Sequence, residues 1–376
     1  MGTLSSEEIT YYDRQIILSS FNIISQEKLK AAKVLVIGAG GLGSAALLYL
    51  AGAGIGEIGI VDFDKVDISN LHRQLIYDIN DIGKSKAETA KEKLVLKNPN
   101  IIINSTCQRF NSENAFDLVV GYDIIIDCSD NFMTRYLIND ICIKTDKTFI
   151  SGSVYEYTGS IAVFNFIIDK ENRSATYRCL FPQAPSADDS PDCNSIGIIG
   201  VIPGMIGNMM AWEVIKIITR IGKPLANQYL SIDFANNKFN IFNFKKDEIE
   251  VNKIKKSPLE DDVWYEDFCQ SKSQEKIFAK EISANELRQF QSNKEEFILI
   301  DVRESYEHEL INIGGISVPL SEIQTRFYEI PRDKKVVMYC RMGSRSSEAI
   351  RYLQLHKNYS NLFSLKGGLR AYMNES

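Results

Sequence analysis

Short apolar runs alternate with longer helical patterns over the first 150 residues. Lys33-Val34-Leu35-Val36-Ile37-Gly38 is an unbroken β-branched run closed by glycine, the pattern of a strand buried on both faces. Residues 44–53 are small and apolar enough to form a helix lying on a sheet, and residues 57–62 repeat the strand pattern and end in Asp62. A helical stretch follows over 84–96, then strands near 101–105 and 123–127, another helical segment, and a strand at 148–151. Strands alternating with helices imply a parallel sheet with crossovers, a doubly wound Rossmann-like α/β layout. Beyond residue 155 the pattern changes, and 160–168, 229–233 and 238–244 read as an antiparallel extension. From 245 to 280 charges crowd together and apolar periodicity fades, which predicts a solvated linker over 246–277. A smaller α/β unit then begins, with strands at 297–303 and 335–340 and a helix over 346–355. The expected division is a domain at 1–245, the linker, and a second domain at 278–376.

Composition narrows the functions. The chain has 376 residues, enough for two domains, and a net charge of −6. That balance weighs against binding a nucleic-acid backbone, which leaves a basic footprint. Three histidines leave little room for a catalytic triad or a His-rich metal site. Seven cysteines, none in C-x-x-C spacing, point to thiols in a cytoplasmic protein and away from a structural zinc. The N-terminus lacks the basic start and apolar stretch of a secretory signal. Residues 193–212 carry no charge and are long enough to span a bilayer. Gly197, Gly200, Pro203, Gly204, Gly207, Asn194 and Asn208 interrupt that stretch, so a buried loop leading into a core helix fits better than a membrane segment.

Candidate chemistry gathers at the strand ends. Gly38-Ala39-Gly40-Gly41-Leu42-Gly43 matches G-x-G-x-x-G between a strand and a helix, where close backbone approach and free N–H groups favour phosphate. Asp62 ends the next strand, where a carboxylate can accept ribose hydroxyls. Alone this pattern describes a nicotinamide or flavin enzyme. Ser69-Asn70-Leu71-His72-Arg73-Gln74, Lys86 in Gly83-Lys84-Ser85-Lys86-Ala87, and Asp127-Cys128-Ser129-Asp130-Asn131 add cations and a metal-competent acid. A dehydrogenase has no need of Arg73, Lys86 and Asp130, whereas a nucleoside triphosphate with Mg²⁺ does.

Those segments, with Tyr12-Asp13-Arg14-Gln15-Ile16, Ser129 through Tyr136 and Tyr177-Arg178-Cys179-Leu180-Phe181-Pro182, resemble the MoeB/ThiF/HesA family of ubiquitin-activating-type adenylyltransferases over residues 8–245. The resemblance implies that ATP and Mg²⁺ bind at the glycine loop. The Gly-Gly carboxylate of a small ubiquitin-like sulfur carrier, MoaD- or ThiS-like, would attack the α-phosphate. It also implies Gly41, Asp62, Asn70, Arg73, Lys86 and Asp130 as the nucleotide set: Asp62 for the ribose, Arg73 and Lys86 for the phosphates, Asp130 for Mg²⁺. Arg14 resembles an arginine supplied across a homodimer interface. Cys193, in a polar stretch ahead of the uncharged run, resembles the family cysteine that carries a thioester or joins a persulfide relay. The two C-x-x-C pairs usual in the family are missing, since Thr176 precedes Cys179 and residues 245–256 hold no cysteine. Zinc is therefore not expected, Cys179 is expected as a small core residue, and the region is expected to pack against the sheet.

Cys340-Arg341-Met342-Gly343-Ser344-Arg345-Ser346 follows a strand and opens a helix, a junction whose N–H groups favour an anionic sulfur, with Arg341 and Arg345 adding positive charge. A phosphatase loop places its arginine one residue later, so the spacing favours sulfur. With residues 299–304, 314–320 and 365–372 this resembles a rhodanese domain, in which Cys340 would carry sulfane sulfur from a donor such as a cysteine desulfurase. The combined expectation is carrier adenylylation followed by thiocarboxylate formation, in a molybdopterin, thiamine or tRNA thiolation pathway. Protein conjugation through a Cys193 thioester, a nucleotide-sensing scaffold and a nicotinamide oxidoreductase are the alternatives.

Overall fold

The β-branched runs become the middle of a sheet because each can bury both faces under flanking helices. The computed structural model describes residues 3–170, 172–184, 197–270, 280–293 and 295–374. The chain divides into units 1–272 and 273–376. In the first unit the strands are β1 (Lys33–Ile37), β2 (Glu57–Val61), β3 (Ile102–Thr106), β4 (Ile124–Asp127), β5 (Thr148–Tyr155), β6 (Thr158–Phe164), β7 (Gln228–Asp233) and β8 (Lys238–Asn243). Their order is β3-β2-β1-β4-β5-β6-β7-β8. Pairing is parallel from β3 through β5 and antiparallel from β5 through β8. Strand order reverses between β1 and β4, so the loops leaving their carboxyl ends open a crevice at a topological switch point. One face of the sheet carries Leu47, Leu50, Ile58, Ile206 and Met210, and the other Leu35, Tyr136, Leu137 and Phe149.

From Val201 onward the uncharged stretch enters the Val201–Thr219 helix, long and apolar enough to cross a membrane by length and composition. Its Ile202, Ile206, Met210 and Val214 are buried, which accounts for its apolarity as a core helix.

The charged linker expected over 246–277 is corrected by the structure as far as residue 270, and residues 271–277 lie outside the described residues. Residues Glu248–Lys256 and Asp262–Gln270 are helices of the first unit. Apolar residues are set among the charges, Val251 and Ile254 in the first helix and Trp264, Tyr265 and Phe268 in the second, and Val251, Ile254 and Tyr265 are buried. The charge runs hid these apolar positions. The region around Cys179 packs on the sheet, with the Tyr177 ring 5.7 Å from Phe164 of β6 and Phe181 5.9 Å from Tyr229 of β7, and also on the Phe132–Lys144 helix. Cys179 lies against Ile143, Val251 and Ile254, and its Sγ accepts the Asp247 N–H at 3.3 Å. It is half-buried, so it packs at the edge of this small core while also accepting a hydrogen bond. Lys144 Nζ closes the far end of the same helix on the carbonyls of Ile254, at 2.6 Å, and Ser257.

The second unit has β9 (Lys280–Ile282), β10 (Phe297–Asp301), β11 (Ile316–Ser317), β12 (Lys335–Tyr339) and β13 (Leu362–Leu365), all parallel, ordered β11-β10-β12-β13-β9. Cys340 leaves the carboxyl end of the central strand β12.

Candidate active sites

The glycine loop is held by sterics no side chain could meet. Gly38 has φ +94°, and a Cβ there would lie 2.7 Å from the Cys128 carbonyl oxygen; one on Gly43 would lie 2.0 Å from that of Gly38. The Gly41–Ala53 helix starts three residues before the sequence pattern suggests, with Gly40 as its N-cap and no side-chain cap, so its first N–H groups stay open to an anion. Asp62 Oδ2 accepts the Ala39 N–H at 2.7 Å and Oδ1 accepts the Asp64 N–H at 2.8 Å. The expected ribose acid thus also ties the glycine loop to the β2 end. Burial raises its pKa above the usual aspartate value, against the Ala39 N–H and the Lys86 charge. Accepting a ribose hydroxyl favours the ionised form, so affinity is lost as pH falls through this raised value. Nucleotide titrations should show the loss at a higher pH than an ordinary aspartate gives, and D62N should remove that step.

Past β2, Asn70 Oδ1 accepts from Arg73 Nη2 at 2.9 Å and from Gln74 Nε2 at 3.2 Å, while Arg73 Nη1 donates to the Ser69 carbonyl at 2.9 Å. Asn70 therefore orients Arg73. Gln74 is buried beside Gly40, and its Oε1 has no hydrogen-bond partner. Leu71 is half-buried, and the His72 side chain is exposed and contributes its backbone, against Gly200. Burial lowers the Arg73 pKa against the opposing charge of Asp130, which brings the β2-end and β4-end loops into one electrostatic field. Lys86 is only 5% exposed and its Nζ lies 2.9 Å from Asp64 Oδ2.

At the β4 end the acids divide. Asp127 is buried and accepts from the Ser129 N–H at 3.0 Å, the Ser151 hydroxyl at 2.7 Å and Arg135 Nε at 3.0 Å. Arg135 Nη2 donates to the Ser129 and Gly152 carbonyls. Asp130 stays exposed, and Asn131 caps the Phe132–Lys144 helix through the Thr134 N–H at 2.9 Å. Sequence reading passed over Asp64 and Arg135. Asp64 was findable as the second acid of Asp-x-Asp; Arg135 shows its role only when β4, β5 and the helix meet.

Among the described residues no group of three or more His, Cys, Asp or Glu forms a metal cage. Mg²⁺ needs one or two carboxylates with phosphate oxygens and waters, so exposed Asp130 fits it. Tetrahedral zinc does not fit, because Cys179 has Thr176 and the Asp247 N–H for neighbours. Arg14 projects with 91% of its side chain exposed, 3.9 Å from Asp13. Its helix is anchored by Tyr12, whose hydroxyl accepts Asn98 Nδ2 at 2.8 Å, and by Gln15, bonded to Gln26 at 3.1 Å. Cys193 lies outside the described residues.

In the second unit Cys340 is 1% exposed, and its Sγ accepts the Gly343 N–H at 3.1 Å, with the Ser346 hydroxyl at 3.8 Å. The loop is braced by the Leu369 N–H on the Cys340 carbonyl and the Arg370 N–H on that of Arg341. Asp301, level with Tyr339 in register, is buried and bonded to Arg303 and His308. The expectation that both loop arginines add positive charge is corrected. Arg341 is exposed, but Arg345 forms a two-pronged pair with Glu307, at 2.6 and 3.0 Å.

The ThiF family profile matches residues 12–252 and the rhodanese-like domain profile residues 283–375. The probable adenylyltransferase/sulfurtransferase MoeZ of Mycobacterium tuberculosis is 37% identical over 99% of this chain and 94% of its own. The adenylyltransferase and sulfurtransferase MOCS3 of Arabidopsis thaliana is 32% identical over 98% and 84%. Among solved structures, Escherichia coli MccB with ATP aligns at a TM-score of 0.56 and 24% identity, over 65% of this chain and 74% of that one, a likeness of fold.

Proposed function

Because the chain belongs to the ThiF family and carries a rhodanese-like domain behind that region, we propose that it adenylylates the Gly-Gly carboxylate of a small ubiquitin-like sulfur carrier. It then converts that carboxylate to a thiocarboxylate through a Cys340 persulfide. The observation that carries the reading is the convergence of Arg73, Lys86, Asp62 and Asp130 around an uncapped helix start at the switch point. Near-full coverage of the MoeZ and MOCS3 relatives supports both activities.

A carrier carboxylate oxygen attacks the ATP α-phosphorus, the bond to pyrophosphate breaks, and acyl-adenylate forms. Arg73 and Lys86 hold the phosphates, and exposed Asp130 would hold Mg²⁺, which neutralises the charge gathering on pyrophosphate. Lys86 exchanges Asp64 for phosphate. In-line attack needs positioning and charge neutralisation more than proton transfer, which suits a site whose one histidine, His72, turns its side chain to solvent. The terminal sulfur of the Cys340 persulfide then attacks the acyl carbon and AMP leaves, giving an acyl disulfide. In our reading the Cys193 thiolate attacks Cys340 sulfur, releases the thiocarboxylate, and leaves a disulfide that a cellular dithiol reduces. A cysteine desulfurase recharges Cys340, and a cytoplasmic setting keeps these thiols reduced.

The test is carrier-dependent ATP–pyrophosphate exchange, with a carrier mass gain of about 16 on sulfur-for-oxygen exchange; no exchange with any Gly-Gly carrier sinks it. C340A should abolish sulfur transfer and leave exchange intact. Homodimerisation belongs to the same proposal. A groove of about 780 Å³ beside the Arg14 helix, lined by Gln15, Tyr49, Ala211 and Trp212, offers an apolar face to a second copy. Mixing R14A with R73A should recover about a quarter of wild-type exchange, since half the dimers are mixed and each has one intact site. Recovery of nothing would show that Arg14 acts within its own chain.

A further inference from the structure

The side chains around Cys340 cancel one another's charge. Asp301 is matched by Arg303 at 2.5 Å, and Glu307 by Arg345 at 2.6 Å. Arg345 and Glu307 are each about one-fifth exposed, so their charges act through the protein wall with little screening by water. The cations facing solvent at the mouth, Arg341 and Arg370, are exposed and screened. Sulfur stabilisation then falls to the Gly343 N–H and the start of the Ser344–Lys357 helix. Such a loop holds one negative charge on sulfur but draws a free dianion weakly.

We infer that Glu307 is a specificity-determining residue: by neutralising Arg345 it disfavours small dianionic sulfur donors and leaves Cys340 to persulfides borne on cysteine. With thiosulfate, the Cys340 thiolate attacks the sulfane sulfur, the S–S bond breaks, and sulfite departs with the electron pair. With a cysteine persulfide, the same attack releases a cysteine thiolate. Both routes leave the Cys340 persulfide and differ in the charge the donor brings to the loop. The inference rests on the sulfur-transfer reading and names the donor class of that site.

The experiment uses the full chain and measures second-order rate constants for loading Cys340 from thiosulfate and from a persulfide-loaded cysteine desulfurase. In E307Q the thiosulfate-to-persulfide ratio should rise roughly ten-fold, the scale of one added unit charge acting on a dianion under near-surface screening. The rise should shrink at high salt. The double variant E307Q/R345Q restores neutrality and should return the ratio to the wild-type value. A ratio unmoved in E307Q, or one that stays high in the double variant, overturns the inference. So does a parallel fall with both donors, the mark of a purely structural role. A wild-type protein inert with both donors would instead bring down the sulfur-transfer reading, and the selector with it.

Discussion

Arg73→Ala is expected to lower kcat/KM for carrier-dependent ATP–pyrophosphate exchange by about 10²–10³, the usual cost of removing one preorganised charge-stabilising donor. Asn70 and the Ser69 carbonyl fix the guanidinium before substrate arrives, so its stabilising field requires no reorganisation during attack. Its partial burial strengthens that field, and burial is also what lowers its pKa. R73K keeps a charge but loses the two-pronged hold and should recover only part of the rate. N70A should lower exchange less than R73A, because it releases the arginine without removing it. Melting temperatures within 2 °C of wild type would assign these losses to chemistry. Exchange by R73A at wild-type rate would remove Arg73 from the phosphate site.

The second large effect is on stability. Arg178→Ala should destabilise the first unit by about 3–5 kcal/mol, the cost of breaking a buried pair and leaving one charge behind. Arg178 is buried, with Nε and Nη2 each 2.8 Å from the Asp140 oxygens, and Asp140 also accepts the Tyr265 hydroxyl at 2.8 Å. The guanidinium lies 4.7 Å from the Tyr136 ring centroid, 4.6 Å from Phe268 and 5.6 Å from Trp264. This cage clasps the Asp262–Gln270 helix to the body of the unit. At roughly 2–4 °C per kcal/mol for a unit of this size, calorimetry should show its transition fall by about 6–20 °C. Protease should then cut first around residues 258–270. D140N/R178M, which removes both charges, should lose much less than R178A. A shift under 2 °C in R178A would show that the cage contributes little.

Much of the first site was legible because its chemistry lies at strand ends, and strand ends are set by local pattern. Gly38, Gly43 and Asp62 could be read that way, since a turn that excludes Cβ and an acid closing β2 follow from few residues. Asp127 and Asp130 looked alike in sequence and proved different: one is buried under Ser129, Ser151 and Arg135, the other faces solvent. The charged stretch after residue 245 misled because solvated charges outnumber the few apolar positions that bind its helices. Arg345 misled for a related reason, since its partner Glu307 lies 38 residues away.

The sequence by itself determined the layer order, the place of the glycine loop and of Cys340, and the family to which the first unit belongs. Each depends on spacing within a few turns or strands, where backbone geometry leaves few choices. Only the tertiary structure decided which charges are spent on one another. Lys86 with Asp64, Arg178 with Asp140 and Arg345 with Glu307 are pairs made across 22 or 38 residues, and their strength depends on burial that the completed fold alone supplies.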